Sequence, residues 1–423
     1  MTVPSAYTQD PGMQGASASR RDAIAKAQAR GQTVLGVLPI VYPKPLLTAM
    51  DILAVELWGP PGAPRSHHVG RLQAYVCALA RNALAFIAGG GADAVDGFLY
   101  PHTCDSIQGL ATQIPDFGGS DKPAFRFRLP KGPARPSARA YLRREYRHLA
   151  ENLSALTKRS LDADRLAWAL DLHALIDRAR ATLLAGRDRL ALNDRSLYTL
   201  LRRGEYLWPE AHLGELEGAV AMITPRAQAF PEPQDATERG IPLLVSGIVP
   251  APMGIFDHLR DAGAYVGADD YAAIGRRVGH AAWDAATLRQ AAVAVGTRDD
   301  AKASDSAHTG ITSRSRDPFD VLVDRFFDLP PCPTRAATIE TRLAHLDRLY
   351  AQGACQGVIL HAVQFCEPEL FDVPAIRRHV QARNIPFLLL DSELEAGLSG
   401  RAVTRLEAFV EMVSARPKDG GAA

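Results

Sequence analysis

The sequence predicts an α/β protein in which two Rossmann-like parallel-sheet domains face a cleft, with a helical insert between them. Short apolar runs alternate with amphipathic segments over residues 31–136 and again over 239–413, as in βαβ units. The stretch 137–238 begins differently, with sparse glycine and with leucines at helical spacing, and is assigned to the insert. Residues 1–30 are expected to form a polar tail leading into a short helix, and 414–423 a Gly/Ala-rich tail.

The N-terminal domain is expected to contain three strands, because short apolar runs closed by turn-forming residues lie at 33–38, 54–58 and 97–100. A short helix over 46–50 has Pro45 near its first turn. A longer helix from about 69 to 88 carries Cys77 in its middle and ends at three consecutive glycines.

The C-terminal domain resumes the alternation, and its apolar runs predict four strands at 241–247, 264–268, 357–360 and 387–390. Amphipathic patterns predict helices at 254–262, 338–351 and 402–413. Residues 297–316 are rich in Ser, Asp and Thr and are expected to form a loop.

Composition describes an ordinary globular protein and excludes several function classes. Of the 423 residues, 47% are hydrophobic and 22% are charged, and the formal net charge of +1 gives no basic field for nucleic acid and no acidic tail. No run approaches the roughly 20 apolar residues of a membrane span, and the first residues lack the order of a signal peptide. Five cysteines, an odd number, argue against a disulfide framework, so we expect a cytoplasmic protein.

Three cysteines stand in contexts that suit the ligands of a metal cluster: Cys77, Cys104 and Cys366. Cys104 and Cys366 each follow an apolar run, which places them at the carboxyl ends of strands, where open α/β sheets bind ligands. Thiolates gathered from distant parts of a chain are what an iron–sulfur cluster requires. Cys77 lies in a predicted helix, where a packing role is equally expected, so Cys332 or Cys355 could replace it as a ligand.

Other polar residues are candidates because they stand at strand ends or beside a cysteine. Glu56 and His102 are the candidate catalytic residues. Glu56 ends a predicted strand and is expected to be either a cleft carboxylate with a raised pKa or a structural glutamate paired with arginine. His102 lies two residues before Cys104 and could tune a cluster there. Ser246 ends another predicted strand and is a candidate for contact with a substrate.

Several common site motifs are missing from the sequence. There is no Cys-x-x-Cys pair, no Gly-x-Gly-x-x-Gly after a strand and no Gly-x-x-x-x-Gly-Lys-[Ser/Thr], so zinc knuckles, nicotinamide binding and ATP hydrolysis are not expected in this chain. Three arginines could instead hold the phosphates of a nucleotide-like carrier: Arg276, Arg277 and Arg325.

Taken in order, these segments resemble the 2-hydroxyacyl-CoA dehydratase / benzoyl-CoA reductase family. The resemblance runs over residues 31–413 and rests on the order and spacing of segments 39–59, Cys77, 101–106, 243–247, 263–276, 325–327, 361–368 and 404–411. It implies one of two related subunits of a heterodimer, each with Rossmann-like domains and a helical part.

The resemblance also implies a cofactor and partners. Each subunit would carry one [4Fe–4S] cluster on three cysteines, which by position are Cys77, Cys104 and Cys366. The substrate would be an acyl- or aryl-CoA thioester, and a separate ATP-hydrolysing iron–sulfur activator would deliver single electrons. Glu56 matches the acidic position of the family.

One segment departs from the family pattern. Where dehydratases carry a serine near the thioester, residues 38–43 offer only the hydroxyl of Tyr42, which is our candidate for substrate contact. This departure favours a benzoyl-CoA-reductase-like subunit, or one that only relays electrons, over a subunit of an (R)-2-hydroxyacyl-CoA dehydratase.

Two alternatives from other classes remain open at the level of sequence. One is a non-catalytic protein that binds CoA esters or another subunit on the same scaffold. The other is a transferase that uses Cys104 as nucleophile with His102 as its base.

Overall fold

The computed structural model describes residues 19–58, 72–73, 75–117, 120–190, 192–223, 240–283, 316–394 and 397–416. Within these ranges the chain forms two four-stranded parallel sheets with flanking helices, which confirms the predicted α/β class. None of the described helices is long and apolar enough to cross a bilayer.

The first sheet has the strand order β2-β1-β3-β4, with every pair parallel. Its strands are β1 (Thr33–Val37), β2 (Ile52–Glu56), β3 (Gly97–Pro101) and β4 (Ala124–Phe127). Four helices accompany it: α1 (Arg20–Ala29), α2 (Lys44–Ala49), α3 (Ala78–Ala88) and α4 (Asp105–Phe117). The three predicted strands are confirmed, whereas β4 was not predicted because this edge strand is short and half-exposed.

The second sheet repeats the same order, as β6-β5-β7-β8. Its strands are β5 (Ile241–Gly247), β6 (Ala264–Tyr271), β7 (Gly357–Val363) and β8 (Phe387–Ser392), all at predicted positions. Between β5 and the C-terminus lie α9 (Ile255–Asp261), α10 (Pro318–Asp328), α11 (Ile339–Gln352), α12 (Glu367–Gln381) and α13 (Gly400–Ser414). In each sheet the first strand is central, so the chain reverses its direction of winding between β1 and β3 and between β5 and β7. These two switch points are where such sheets bind ligands.

The segment between the sheets is helical, as predicted. It forms α5 (Pro136–Thr157), α6 (Ala163–Ala185), α7 (Asp194–Arg202) and α8 (Pro209–Ala221). One continuous hydrophobic core joins Leu53 of β2, Leu172 of α6 and Val245 of β5, so the helices pack against both sheets. The predicted loop at 297–316 lies outside the described residues except for Arg316, as does the start of the helix predicted at 69–88.

The prediction that Cys77 lies in the middle of a helix is wrong. The described helix α3 begins at Ala78, and Cys77 has extended backbone angles, φ −58° and ψ 149°. The physical reason is a tertiary contact, because the amide of Ala78 donates to the carbonyl of Gln364 at 3.3 Å instead of continuing a helix. This contact brings the start of α3 beside the residues that follow β7.

Candidate functional site

The three candidate cysteines share one local position, directly before the first residue of a helix. Cys77 precedes α3, Cys104 precedes α4 and Cys366 precedes α12, and the carbonyl of each accepts a hydrogen bond from the amide four residues on. Cys104 and Cys366 each lie three residues beyond the third strand of their sheet. Helix N-termini carry unpaired amides and a positive partial charge, which act to lower the pKa of a thiol at this position.

These three side chains line one small buried cavity. Its walls come from the segments at the carboxyl ends of the central strands of both sheets: Pro39 and Ile40 after β1, Thr103 and Cys104 after β3, Ile248 after β5, and Val363 and Cys366 around the end of β7. The structure therefore brings together, at the two switch points, thiols as far apart in the chain as Cys77 and Cys366, which are separated by 289 positions.

Burial raises the pKa of all three thiols. Burial, with the charge of Cys104 added, raises the pKa of Cys77 to about 11, although amides of the first turn of α3 act in the opposite direction. Burial, with the charges of Glu369, Cys77 and Cys104 added, raises the pKa of Cys366 well above its usual range. Without a cation these thiols are therefore protonated near neutral pH, and a bound cation would release their protons.

The described side chains around the cavity do not form a site for a single metal ion. In the described part of the chain, no group of three His, Cys, Asp or Glu side chains is placed to hold one metal ion. Thiolates on one tetrahedral ion lie about 4 Å apart, given metal–sulfur bonds of about 2.3 Å, whereas ligands at separate corners of a cluster are spaced more widely. The Thr103 hydroxyl on the cavity wall is also buried without a hydrogen-bond partner.

The other two cysteines lie elsewhere. Cys332 is buried and is 3.1 Å from Nη1 of Arg276, and Cys355 belongs to a separate apolar cluster with Leu244 and Leu346. Neither lines the cavity of the three cysteines. Of the alternatives that the sequence leaves open for the third cysteine, the structure thus places Cys77 beside the other two.

Glu56 is fully buried and is held by four donors. The Arg277 guanidinium binds both carboxylate oxygens, at 2.7 and 2.9 Å, and the Tyr42 hydroxyl and Trp58 indole donate at 2.8 and 2.9 Å. Lys44 lies 3.3 Å away. Burial alone would raise the pKa of Glu56, but Arg277 and Lys44 outweigh it and hold this pKa well below its usual range. The expectation of a raised pKa is therefore wrong, and the arginine-paired alternative is the one observed.

Three further candidates make contacts away from the cysteine cavity. His102 is about one-third exposed, lies 3.9 Å from Asp105 and faces a different surface pocket, while burial and Lys131 lower its pKa. Ser246 donates to Asp270 at 2.6 Å. Arg276 is buried and binds Glu369 at 2.6 Å and the backbone of β6. Their predicted roles toward cluster or substrate remain predictions, and the contacts of Ser246 and Arg276 are internal.

The contacts of Cys104 count against a nucleophilic role. Burial raises the pKa of Cys104, whereas a nucleophilic cysteine needs a lowered one. In the described structure no hydrogen bond joins His102 to Cys104, so the pairing that a transferase would need is missing.

Nearly the whole chain is similar to proteins of one family. The family model of the 2-hydroxyglutaryl-CoA dehydratase D-component (HGD-D) matches residues 39–413. The beta subunit of (R)-2-hydroxyglutaryl-CoA dehydratase from Acidaminococcus fermentans is 23% identical over 94% of this chain and 97% of its own length. The beta subunit of lactoyl-CoA dehydratase from Anaerotignum propionicum is 19% identical over 90% of this chain and 92% of its own length. A benzoyl-CoA reductase subunit from Thauera aromatica is 22% identical over 84% of each chain.

These matches confirm the resemblance that the order of sequence motifs indicates. The family match runs from the turn after β1 through β2 to β8 and the helices between them, and it includes all three cysteines of the buried cavity. The chain therefore belongs to the 2-hydroxyglutaryl-CoA dehydratase D-component family.

Proposed function

We propose that this chain is a [4Fe–4S]-carrying subunit of a radical-type acyl-CoA enzyme, with Cys77, Cys104 and Cys366 as the cluster ligands. The observation that carries the proposal is the placement of these three thiols on one buried cavity, each before a helix. Bound there, a cluster would supply electrons singly at low potential. The chain itself would hold the thiolates on first-turn amides and exclude water with apolar walls such as Ile40 and Ile248.

The finer assignment that we favour is a benzoyl-CoA-reductase-like subunit that reduces an aryl-CoA. The segment after β1 presents Pro39 and Ile40 to the cysteine cavity, and its hydroxyl group, on Tyr42, is bonded to Glu56. A free hydroxyl near the thioester is thus not supplied by this segment. The alternative is a subunit of an (R)-2-hydroxyacyl-CoA dehydratase, which the similarity to dehydratase beta subunits favours.

Two protein partners belong to the proposal. One is a homologous second subunit, because the relatives are themselves named as single subunits of larger enzymes. The other is a separate ATP-dependent iron–sulfur activator, since the sequence has no phosphate-binding loop of its own. The substrate would be a CoA thioester.

Iron and acid-labile sulfide analysis after strictly anaerobic purification tests the cluster. We expect about four irons per chain in the wild type, and loss of most of this iron in Cys77→Ala, Cys104→Ala and Cys366→Ala. Cys355→Ala is the matched control, because this cysteine is buried like Cys77 and Cys366 but lies in another core. Iron-free wild type after anaerobic reconstitution, or equal iron loss in the control, would overturn the assignment.

Activity separates the two enzyme classes. With second subunit, activator and ATP present, the reductase assignment predicts reduction of benzoyl-CoA, and the dehydratase assignment predicts reversible hydration of an enoyl-CoA. A non-catalytic binding protein would show neither activity, and its Cys104→Ala variant would bind CoA esters as tightly as the wild type.

A further inference from the structure

A second and much larger cavity lies on the other side of the segment that follows β1. Its volume is about 420 Å³, and Ile40 lines both this cavity and the one formed by the cysteines. The walls come from the turn after β1, from α5, α6 and α10, and from the residues that follow β6. This volume is in the range of small-molecule sites in proteins.

The cavity is lined by more positive than negative side chains. Five cations line it, namely Lys44, Arg178, Arg180, Arg277 and Arg325, against two carboxylates, Asp177 and Asp328. Three of the cations already have a partner, because Lys44 and Arg277 contact Glu56 and Arg325 contacts Asp177 at 2.8 Å. The remaining two cations are Arg178 and Arg180.

Arg180 is the unusual one of these two. Its side chain is only 5% exposed, its Nε is buried without a hydrogen-bond partner, and no ion pair joins it to another of the described residues. The carboxylate of Asp177, three residues earlier on α6, instead accepts a hydrogen bond from Arg325. His173, one turn further back, offers no negative charge and is bonded to Thr48 at 2.9 Å. The charges of Asp177, Glu56 and Asp269 act on Arg180 from a distance, but these carboxylates are bonded to other side chains. A buried guanidinium without a directly bonded anion is unfavourable, so Arg180 is free to bind one.

We propose that this cavity binds an oxyanion, the carboxylate of an organic acid group or a phosphate of CoA, against the guanidinium of Arg180. A guanidinium can bind two oxygens of a carboxylate or a phosphate at once. Phe127, Tyr146, Leu322 and Phe326 form an apolar part of the wall, which suits the hydrocarbon portion of an organic acid. Arg180 and these apolar residues do not line the cysteine cavity. The anion site and the cluster assignment can therefore be refuted independently.

Thermal unfolding of the full-length chain tests the site, with glutarate, inorganic phosphate and coenzyme A as probes and sodium chloride at equal ionic strength as reference. At least one probe should raise the melting temperature of the wild type. Arg180→Gln should weaken the dissociation constant of that probe by at least about tenfold, because a charge-assisted pair is lost, and Arg180→Lys should weaken it less. Arg401→Gln is the control, since this arginine is exposed on α13.

The outcomes distinguish the ligand sources and can refute the proposal. Stabilisation by glutarate alone identifies a carboxylate site, and stabilisation by phosphate or coenzyme A identifies a phosphate site. Without a probe, Arg180→Gln should melt no lower than the wild type, because an unpaired buried charge has been removed. The proposal is overturned if no probe stabilises the wild type, or if Arg180→Gln responds like Arg401→Gln. If Arg180→Gln does not fold, equilibrium dialysis of the probes with Arg180→Lys decides by the same criterion.

Discussion

The buried pair of Glu56 and Arg277 gives the sharpest prediction about stability. Glu56→Gln keeps the shape of the side chain but removes its charge, which leaves the Arg277 guanidinium, 8% exposed, without a counterion. Breaking a buried ion pair in this way typically costs about 3–5 kcal/mol. We therefore expect the free energy of unfolding at neutral pH to fall by about that amount, because the two donors to each oxygen lose a charged acceptor.

The pH dependence has a definite sign. The folded pKa of Glu56 lies below its unfolded value of about 4.5, so the ionised pair stabilises the wild type above that pH. As the pH falls from about 4.5 toward the folded pKa, this advantage is lost. The difference in stability between wild type and Glu56→Gln should therefore be constant near neutral pH and shrink in acid.

Urea titrations of single and double variants measure the effect. Arg277→Met alone should also be destabilising, and the double variant should lose less than the sum, with a coupling energy of about 2–3 kcal/mol. Asp391→Asn is the control, because its pair with Arg405 is exposed and 3.8 Å long and should contribute less than about 1 kcal/mol. A change below about 1 kcal/mol for Glu56→Gln at neutral pH would refute the reasoning.

Three further predictions concern thiols, protons and packing. In the cluster-free native chain iodoacetamide should label Cys104 first, because the other four thiols are buried, and equal labelling of all five would contradict this packing. Burial lowers the pKa of Lys44 to about 8, so any stabilisation by glutarate should weaken between about pH 7 and pH 9, and Lys44→Met should abolish that dependence. A methyl group at Gly247 would meet the carbonyl of His361, so Gly247→Ala should destabilise by about 1–3 kcal/mol in urea titrations. Gly214→Ala, at an open position inside a helix, should instead gain up to about 1 kcal/mol.

Local sequence was sufficient to predict most of the strands. Fully buried parallel strands such as β5 and β7 are nearly continuous apolar runs, so their positions can be read without tertiary information. Edge strand β4 has no such run, because one side of it meets solvent, and it was missed. Helix α12 was also missed, although Pro368 in its first turn is a signal for a helix start.

The cysteines show where local information ends. A cysteine that follows a strand lies at the carboxyl edge of a sheet, which is a consequence of chain direction alone, so Cys104 and Cys366 were placed from the sequence. Cys77 does not follow a predicted strand, and its position depends on the hydrogen bond from Ala78 to Gln364, a residue far away in the chain. Only the folded structure could bring the third thiol to the cavity.

Charge pairing was decided by tertiary structure altogether. The sequence identified Glu56 as an acidic residue at a strand end, but the direction of its pKa shift depends on Arg277, 221 residues away. Arg180 carries no sequence signal, because an arginine on a helix is ordinarily exposed or paired. Apolar periodicity is a local property of the sequence, so it determines helices and strands. The electrostatic field at a buried group is the sum over all charges and dipoles that the fold places around it, so only the tertiary structure determines its pKa.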